Sequence, residues 1–316
     1  MQQTPLISII IVTWNSKAYL PTCLGKLSMQ VFKNFEVIIV DNGSVDGSVD
    51  GVKEKYPVLD IRIKKLDRNT GFAVANNIGA GMARGKWLML LNADAFPEAD
   101  WLEKMVNDAE KYPNASFSSR QIQANNPEYL DGEGDRYRAT GSAQRRKYNQ
   151  PIYPAGEVEE VFSPCAAAAL YPRQAFLDVG GFDEDYFSYY EDVDLGFRLR
   201  LYGLRAYYLP QSVVYHIGSA STGKYSEFSV YHAHRNLVWT YFKNMPSVLV
   251  WVYFPLHLLL NLYFSSACYS TGQCRIIWKA KKDALLGMGK ILEKRKKIQA
   301  NRRASLKEIY YALKLK

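Results

Sequence analysis

The segment ISIIIVTWN, residues 7–15, decides the fold, because it joins an apolar, β-branched run to a short polar stretch. Three similar runs follow within the first hundred residues: FEVIIV (35–40), IRIKKL (61–66) and KWLMLL (86–91). Such runs are typical of strands, and the segments between them are long enough for crossover helices. This βαβαβ pattern predicts an α/β fold with a mostly parallel sheet flanked by helices on both faces.

Polar residues follow each of these runs, at the point where the predicted strand ends. The four strand exits are TWN (13–15), DNGS (41–44), DRNTG (67–71) and NAD (92–94). Taken alone, each of these four segments has residues that are typical of an ordinary turn. In open α/β sheets, however, ligands bind at the carboxyl ends of the strands, so four polar exits at one edge predict a polar binding pocket.

Two common nucleotide-binding classes do not fit this pattern. The GAGMARG segment (79–85) contains a G-x-G, but it precedes a strand, whereas a dinucleotide fingerprint lies between a strand and a helix. The sequence contains no G-x-x-x-x-G-K-[ST] motif. The pattern therefore argues against a Rossmann dehydrogenase and a P-loop NTPase.

The net charge of +9 comes from the end of the chain. The segment from Arg275 onward contains 14 Lys and Arg against 3 Asp and Glu, which leaves the rest of the chain at −2. A basic tail of this kind does not indicate a nucleic-acid-binding face on the main domain. The four cysteines are scattered and form no C-x-x-C pair, so we expect them to be reduced, in a cytosolic environment.

Two other segments stand apart from the strand pattern. The apolar segment SVLVWVYFPLHLLLNLYFSSA, Ser247–Ala267, is about as long as a bilayer-spanning helix, which needs roughly 20 residues. We expect it to be embedded in a membrane or to span it; the alternative is a buried helix pair broken at Pro255. Residues from about 118 to 160 are polar and rich in Gly and Arg, and they predict a long loop that is either functional or disordered.

Six motifs in the sequence occur together in one order: VTWN, VDNGS, NTGFAVANN, LLNAD, GGFDEDYFSYYEDVDLGFRLRLYG and YHIGSAS. In order and spacing they resemble the motifs of family 2 glycosyltransferases, and they are most similar to bacterial rhamnosyltransferases that build cell-surface polysaccharides. The resemblance extends over about residues 7–240. It implies a GT-A fold, a nucleotide-diphosphate sugar as donor, a divalent metal ion (Mg²⁺ or Mn²⁺) and inversion at the anomeric carbon.

The resemblance also implies roles for individual residues. The positions that hold the nucleotide correspond to Thr13, Asn15, Asp41, Asn69 and Gly71. Asp94 corresponds to the metal-binding acid of the family's D-x-D motif, and His216 resembles its second protein ligand. The first acid of that motif is replaced by Asn92, which we expect to contact the donor. The loss of one carboxylate predicts weaker metal binding or a ligand supplied from elsewhere.

The acidic stretch FSYYEDVDLGFRLR, residues 187–200, resembles the segment that carries the family's catalytic E-D pair. The resemblance implies that Asp192 is the general base and that Glu191 orients sugar hydroxyls. Ser188 and Glu191 also fit an S-x-x-E capping box. Asp194 is expected to pair with Arg198 on one helix face, so that Asp194→Asn costs only about 0.5–1 kcal/mol of stability. The neighbouring aromatics, Phe187, Tyr189 and Tyr190, suit either a 6-deoxy sugar or core packing.

These features together predict an inverting glycosyltransferase of two parts, a GT-A domain (1–240) and a membrane-associated segment with a basic tail (241–316). It would transfer L-rhamnose from a dTDP- or UDP-sugar to a glycan or lipid-linked oligosaccharide, and nucleic acid is not an expected partner. The Lys/Arg-rich tail favours the cytoplasmic face of the bacterial inner membrane. The alternatives are another nucleotide sugar, a polyprenyl-phosphate acceptor, or a sugar-1-phosphate nucleotidyltransferase.

Overall fold

The computed structural model describes residues 4–218 and 226–315 of the 316-residue chain. Part of the YHIGSAS motif, residues 219–221, lies outside the described residues. The strands are β1 (Ile7–Thr13), β2 (Phe35–Asp41), β3 (Ile61–Lys65), β4 (Trp87–Leu91), β5 (Ala95–Pro97), β6 (Ala115–Gln123), β7 (Leu130–Gly132), β8 (Asp135–Tyr137), β9 (Ala143–Arg145), β10 (Glu159–Val161), β11 (Ala168–Pro172) and β12 (Arg205–His216). The helices are α1 (Leu20–Ser28), α2 (Val52–Lys55), α3 (Phe72–Met82), α4 (Trp101–Lys111), α5 (Arg173–Asp178), α6 (Glu191–Leu201), α7 (Glu227–Asn244), α8 (Ser247–Thr271), α9 (Cys274–Leu286), α10 (Met288–Ala300) and α11 (Leu306–Ala312).

The four predicted strands form one parallel half of the main sheet, in the order β4-β1-β2-β3. Helices α1 and α4 pack on one face of the sheet, where the core includes Leu24 and Trp101. Helices α3, α5 and α6 pack on the other face, with Ala75, Phe176 and Leu195 in the core. Helices on both faces and the parallel strands are therefore as predicted.

The other half of the sheet is mixed. Strand β11 runs antiparallel to both β4 and β6, whereas β12 runs parallel to β6. The expected long loop at residues 118–160 is wrong, because this segment continues β6 and forms β7, β8, β9 and part of β10. Strands of three residues are too short to leave a periodic pattern in a sequence, since alternation needs at least four positions to be recognised.

The C-terminal helices pack directly on the sheet domain. The predicted boundary at residue 240 falls inside α7, and one hydrophobic cluster joins Tyr137 and Phe197 to Leu249 and Ile309. Helix α8 is one continuous helix with Pro255 inside it, not a helix pair broken there. Its most apolar window is only 17% buried, and its length and composition would allow it to cross a membrane.

The expectation of four reduced cysteines is wrong for one pair. Cys268, near the end of α8, forms a disulfide with Cys274, the first residue of α9, and their Cα atoms are 4.7 Å apart. Gly272 has a φ of 68°, and it reverses the chain between the two helices. This turn brings together two cysteines whose spacing matches no familiar motif. Cys23 and Cys165 are free and buried.

Candidate active site

A cavity of about 520 Å³ opens at the carboxyl ends of β1, β2 and β4, where the polar exits predict a pocket. Four predicted site residues line it: Asn69, Gly71, Asn92 and Asp94. The parallel strands end at one edge of the sheet, so exits that are far apart in sequence come together there. Aromatic side chains complete the wall: Trp14, Tyr19, Phe72, Phe187 and Phe228.

Three other predicted residues, Thr13, Asn15 and Asp41, lie beside the cavity and are not part of its lining. The Asp41 carboxylate accepts a hydrogen bond of 3.0 Å from the Ser44 amide, and the Asn15 side chain accepts one of 2.9 Å from the Val45 amide. Thr13 is fully buried, and its hydroxyl has no hydrogen-bond partner. These residues therefore shape the first two strand exits.

Asn42 is a site residue that the motif comparison missed. Its side-chain amide donates to Asn69 Oδ1 at 2.9 Å, and its Oδ1 accepts from the Thr70 amide at 2.8 Å. It also lines the cavity and is buried. The Asn42 side chain thus joins the segment after β2 to the segment after β3. The DNGS segment contained it, but its role depends on a neighbour 27 residues away.

Asn92, Asp94 and His216 meet at the ends of β4 and β12. His216 Nε2 lies 3.4 Å from Asp94 Oδ1 and 3.2 Å from Asn92 Nδ2. On its other side, His216 Nδ1 lies 2.7 Å from Asp131 Oδ2. A carboxylate at Nδ1 holds a proton there, so that the neutral ring would offer its Nε2 lone pair to a cation beside Asp94, which is the arrangement of a metal-binding histidine.

These residues fit a divalent cation as a two-ligand protein site. Carboxylate oxygen suits Mg²⁺ and Mn²⁺, while an imidazole nitrogen favours Mn²⁺ over Mg²⁺. No cluster of three or more His, Cys, Asp and Glu that could hold a metal occurs among residues 4–218 and 226–315. The other ligands would therefore be diphosphate and water oxygens, as is usual for a metal that binds together with a phosphate substrate.

His216 carries a proton that such a cation would replace. Burial opposes the charged ring, but hydrogen bonds with Asp131 and Asp94 outweigh it and raise the pKa of His216 to about 9. Asp131 lies on β7, in the polar segment that sequence reasoning took for a loop, and Arg145 also bonds to it at 2.6 Å. Its pairing with a histidine 85 residues away left no signal in the sequence.

The predicted catalytic pair, Glu191 and Asp192, lies at the start of α6, and hydrogen bonds link Asp192 to Asn92 through two residues. The Asp192 carboxylate accepts hydrogen bonds from the amides of Ala166, at 3.3 Å, and Val193, at 2.8 Å. The next residue, Ala167, accepts a bond of 2.9 Å from the Asn92 amide. The consecutive residues Ala166 and Ala167, just before β11, therefore connect Asp192 to Asn92, which lines the cavity.

The surroundings of Asp192 and Glu191 raise the affinity of each carboxylate for a proton. Burial raises the pKa of Asp192, although the Ala166 and Val193 amides and the Arg145 guanidinium oppose it. Burial and the neighbouring Asp192 raise the pKa of Glu191 well above its usual range. Burial, with Asp192, does the same for Asp135. A carboxylate whose pKa is raised is a better proton acceptor near neutral pH.

The segment before α6 is strained. Phe187, Tyr189 and Tyr190 have φ angles of 64°, 66° and 68°, in a region that residues other than Gly rarely adopt. The buried side chain of Asn236 in α7 donates to the carbonyls of Tyr186, Ser188 and Tyr189, at 3.1, 3.1 and 2.7 Å. Strain in a backbone segment persists only where surrounding contacts enforce it. Asn236 provides such contacts here.

The predicted capping box does not form, because Tyr190, not Ser188, precedes the first helical residue and makes no side-chain cap. The predicted pair of Asp194 and Arg198 does form, at 2.8 Å. Asp194 is fully buried and also contacts Lys243, at 2.7 Å, which in turn pairs with Asp183 at 2.5 Å. Burial opposes the charge of Asp194, but Arg198 and Lys243 outweigh it and lower the pKa of that carboxyl.

Comparison with known proteins agrees with this architecture. The glycosyl transferase family 2 sequence model matches residues 8–180. The chain is 28% identical over 250 residues to N-acetylglucosaminyl-diphospho-decaprenol L-rhamnosyltransferase of Mycobacterium tuberculosis, covering 70% of this chain and 79% of that protein. It is also 40% identical over 104 residues to a PGL/p-HBAD biosynthesis glycosyltransferase of Mycobacterium bovis, covering 32% of this chain and 41% of that protein.

Solved structures confirm the predicted GT-A fold. S. aureus TarS 1-349 in complex with UDP-GlcNAc superposes with a TM-score of 0.60 at 16% identity, covering 98% of this chain and 90% of that one. GalNAc-T7 with UDP, GalNAc and Mn²⁺ superposes with a TM-score of 0.62 at 16% identity, covering 76% and 48%. At these identities the likeness concerns the fold alone. The match to the family sequence model, over more than half of the chain, establishes that this protein belongs to glycosyl transferase family 2.

Proposed function

We propose that this glycosyltransferase moves L-rhamnose, with inversion, from a dTDP- or UDP-sugar to a hydroxyl of a lipid-linked glycan. The observation that carries the proposal is the connection of two groups of residues beside the cavity, of which Asn92 and Asp94 belong to its lining and His216 and Asp192 do not. Asp94 and His216 form a candidate cation site, and Asp192 is joined to the adjacent Asn92 through residues 166–167. The mycobacterial relative, by its name, transfers L-rhamnose to a diphospho-decaprenol-linked sugar, which supports this donor sugar and acceptor class.

The proposed reaction is a single displacement. The acceptor oxygen attacks the anomeric carbon, the bond between that carbon and the diphosphate oxygen breaks, and the acceptor proton passes to Asp192. The diphosphate leaves with the electron pair of the broken bond. A bound divalent cation supplies charge neutralisation for the departing diphosphate.

The chain's own residues provide the remaining requirements. Asn42, Asn69 and Gly71 form the polar side of the cavity, where the nucleotide would bind. Phe187 and Phe228, with ring centroids 5.8 Å apart, form an apolar wall suited to the methyl group of a 6-deoxy sugar and able to exclude water. Glu191, which is buried beside Asp192, would orient sugar hydroxyls.

A panel of nucleoside diphosphates tests the donor site. We expect dTDP or UDP to raise the melting temperature in the presence of Mn²⁺ and to have little effect in EDTA. A ligand at 100 times its Kd stabilises a protein by about 2.7 kcal/mol, which is easily measured. L-rhamnose should then be transferred from the dTDP- or UDP-sugar with inversion. No metal-dependent stabilisation by any nucleoside diphosphate would refute the proposed donor chemistry.

We also propose that α8 lies along the cytoplasmic surface of a membrane. One face of α8 packs on the protein, where His257 is buried and its Nδ1 lies 2.8 Å from the carbonyl oxygen of Thr140. The opposite face exposes large apolar side chains: Val248, Trp251, Val252, Leu256, Leu259, Leu262 and Tyr263. A helix held on one side by protein and apolar on the other suits an in-plane position at the interface.

Charge on the exposed apolar face should release the protein from membranes. For Trp251→Glu/Leu259→Glu we expect at least a tenfold loss of binding to phosphatidylglycerol vesicles in flotation assays, because each side chain contributes about 1.5–3 kcal/mol of burial. The control, Val45→Glu/Val58→Glu, changes two exposed apolar residues outside α8. Equal binding of both variants would contradict a membrane role for α8.

A further inference from the structure

A second pocket, of about 180 Å³, lies on the β8–β9 hairpin and the residues that follow it. Its lining includes four cationic side chains: Arg136, Arg145, Arg146 and Lys147. The donor cavity, in contrast, has Asp94 as the single charged residue in its described lining. The hairpin pocket therefore has a strongly positive character of its own, although the whole segment before Arg275 is slightly acidic.

Two of these cations already have anionic partners. Arg145 pairs with Asp131 and Arg146 pairs with Glu159, each at 2.6 Å. Within residues 4–218 and 226–315, no carboxylate lies within ion-pair distance of Arg136 or Lys147. The pocket therefore keeps about two uncompensated positive charges. Clustered guanidinium and ammonium groups of this kind recognise phosphate oxygens through charge-assisted hydrogen bonds.

Arg145 connects the hairpin pocket to the catalytic acids. It lies opposite Asp135 in the β8–β9 pairing and bonds to Asp131, the residue that holds His216. Its positive charge also acts on Asp192. An anion in the pocket would therefore share Arg145 with the proposed general base, and it would lie on the hairpin and not on the strand exits that form the donor cavity.

The turn of the same hairpin contacts α8. The Thr140 carbonyl oxygen lies 2.8 Å from His257 Nδ1, and Gly141 is so close to α8 that an added Cβ would lie 2.8 Å from the same nitrogen. The opposite face of α8 is the exposed apolar surface described above. One hairpin thus joins the basic pocket, the catalytic acids and the apolar helix.

We propose that the hairpin pocket binds the diphosphate of a lipid-linked acceptor. The inference rests on the proposed function and identifies where that acceptor is held. The lipid chain would follow the apolar face of α8, the diphosphate would contact Arg136 and Lys147, and the first sugar would reach Asp192. The apolar, anionic and hydroxyl-bearing parts of such an acceptor correspond to the three features that the hairpin joins.

Binding of farnesyl diphosphate to the full-length protein tests the site without a donor. In EDTA and nonionic detergent, we expect Arg136→Gln/Lys147→Gln to raise the Kd about tenfold or more, because the variant loses charge-assisted hydrogen bonds to the diphosphate. Arg138→Gln/Lys64→Gln removes two exposed cations outside the pocket and should bind as the wild type does. Asp94→Ala should also leave this Kd unchanged, since the donor cavity is not involved.

Any of the following results with farnesyl diphosphate would overturn the proposal: equal affinity of the wild type for farnesyl diphosphate and farnesol, unchanged affinity in the pocket variant, or loss of this affinity in Asp94→Ala. Phosphatidylglycerol vesicles distinguish a diphosphate from a lipid headgroup. If the pocket variant loses vesicle binding by the same factor as farnesyl diphosphate binding, the pocket is a headgroup site and the proposal is wrong. If no nucleoside diphosphate stabilised the protein, these lipid-binding measurements could still be made and interpreted. Each of the two proposals can therefore be refuted without the other.

Discussion

Replacing Asp192 with Asn is expected to lower kcat by about 10²- to 10⁴-fold while the Kd of the donor nucleotide remains nearly unchanged. The amide keeps the shape of the side chain, and its single oxygen can accept from one of the Ala166 and Val193 amides, but it cannot take up the acceptor proton. Steady-state kinetics with saturating donor, together with nucleotide binding measured by thermal shift, separate the two effects. Glu191→Gln should lose less kcat and show more effect on KM, because an orienting contact acts partly in the ground state.

Asp194→Asn is the contrasting variant. The sequence alone suggested a cost of about 0.5–1 kcal/mol for a weakened helix terminus. The structure raises this expectation, because Asp194 is buried between Arg198 and Lys243, and removing its charge leaves two buried cations poorly compensated. Breaking such a buried pair costs about 3–5 kcal/mol, which chemical denaturation would measure. An inactive but stable Asp194→Asn together with an active Asp192→Asn would show that the roles had been assigned to the wrong acids.

Asp94→Ala is expected to abolish transfer and to remove the metal dependence of nucleotide binding. Asp94 lines the cavity at the strand exits, 3.4 Å from His216, and no third acidic or histidine ligand joins them in a cluster within the described part of the chain. A two-ligand site cannot tolerate the loss of its carboxylate. Thermal shift with dTDP or UDP, with and without Mn²⁺, measures the effect. Full metal dependence in the mutant would disprove the assignment.

Two further variants sharpen this test. Asp108→Ala removes an aspartate whose partner is Lys111 on the surface of α4, and it should bind nucleotide and metal as the wild type does. Asn92→Asp restores the second carboxylate of the family's motif beside His216 Nε2, which lies 3.2 Å from the present amide. It should therefore tighten Mn²⁺ binding, measured by titration of the metal-dependent thermal shift.

The local sequence pattern was sufficient to predict the parallel half of the sheet. The strands at 7–13, 35–41, 61–65 and 87–91 begin within one residue of the predicted runs, because alternating apolar runs and crossover-length spacers act over short distances in the chain. The polar exits were equally local, so Asn69, Gly71, Asn92 and Asp94 could be placed at one edge from the order of strands alone.

Only the tertiary structure decided how that edge is completed. Asp131 holds His216 across 85 residues, Asn236 holds the segment before α6 across 47 to 50 residues, and Lys243 contacts Asp183 and Asp194 from another helix. None of these residues belongs to a periodic run, and each acts through a partner that a linear pattern cannot identify. The sequence determined the strands and the acids at their ends, since the apolar pattern of a strand depends only on residues that are close together in the chain. Burial, charge compensation and strain depend on which distant segments fold against each other, and they were determined by the packing of the helices and the hairpin on the sheet.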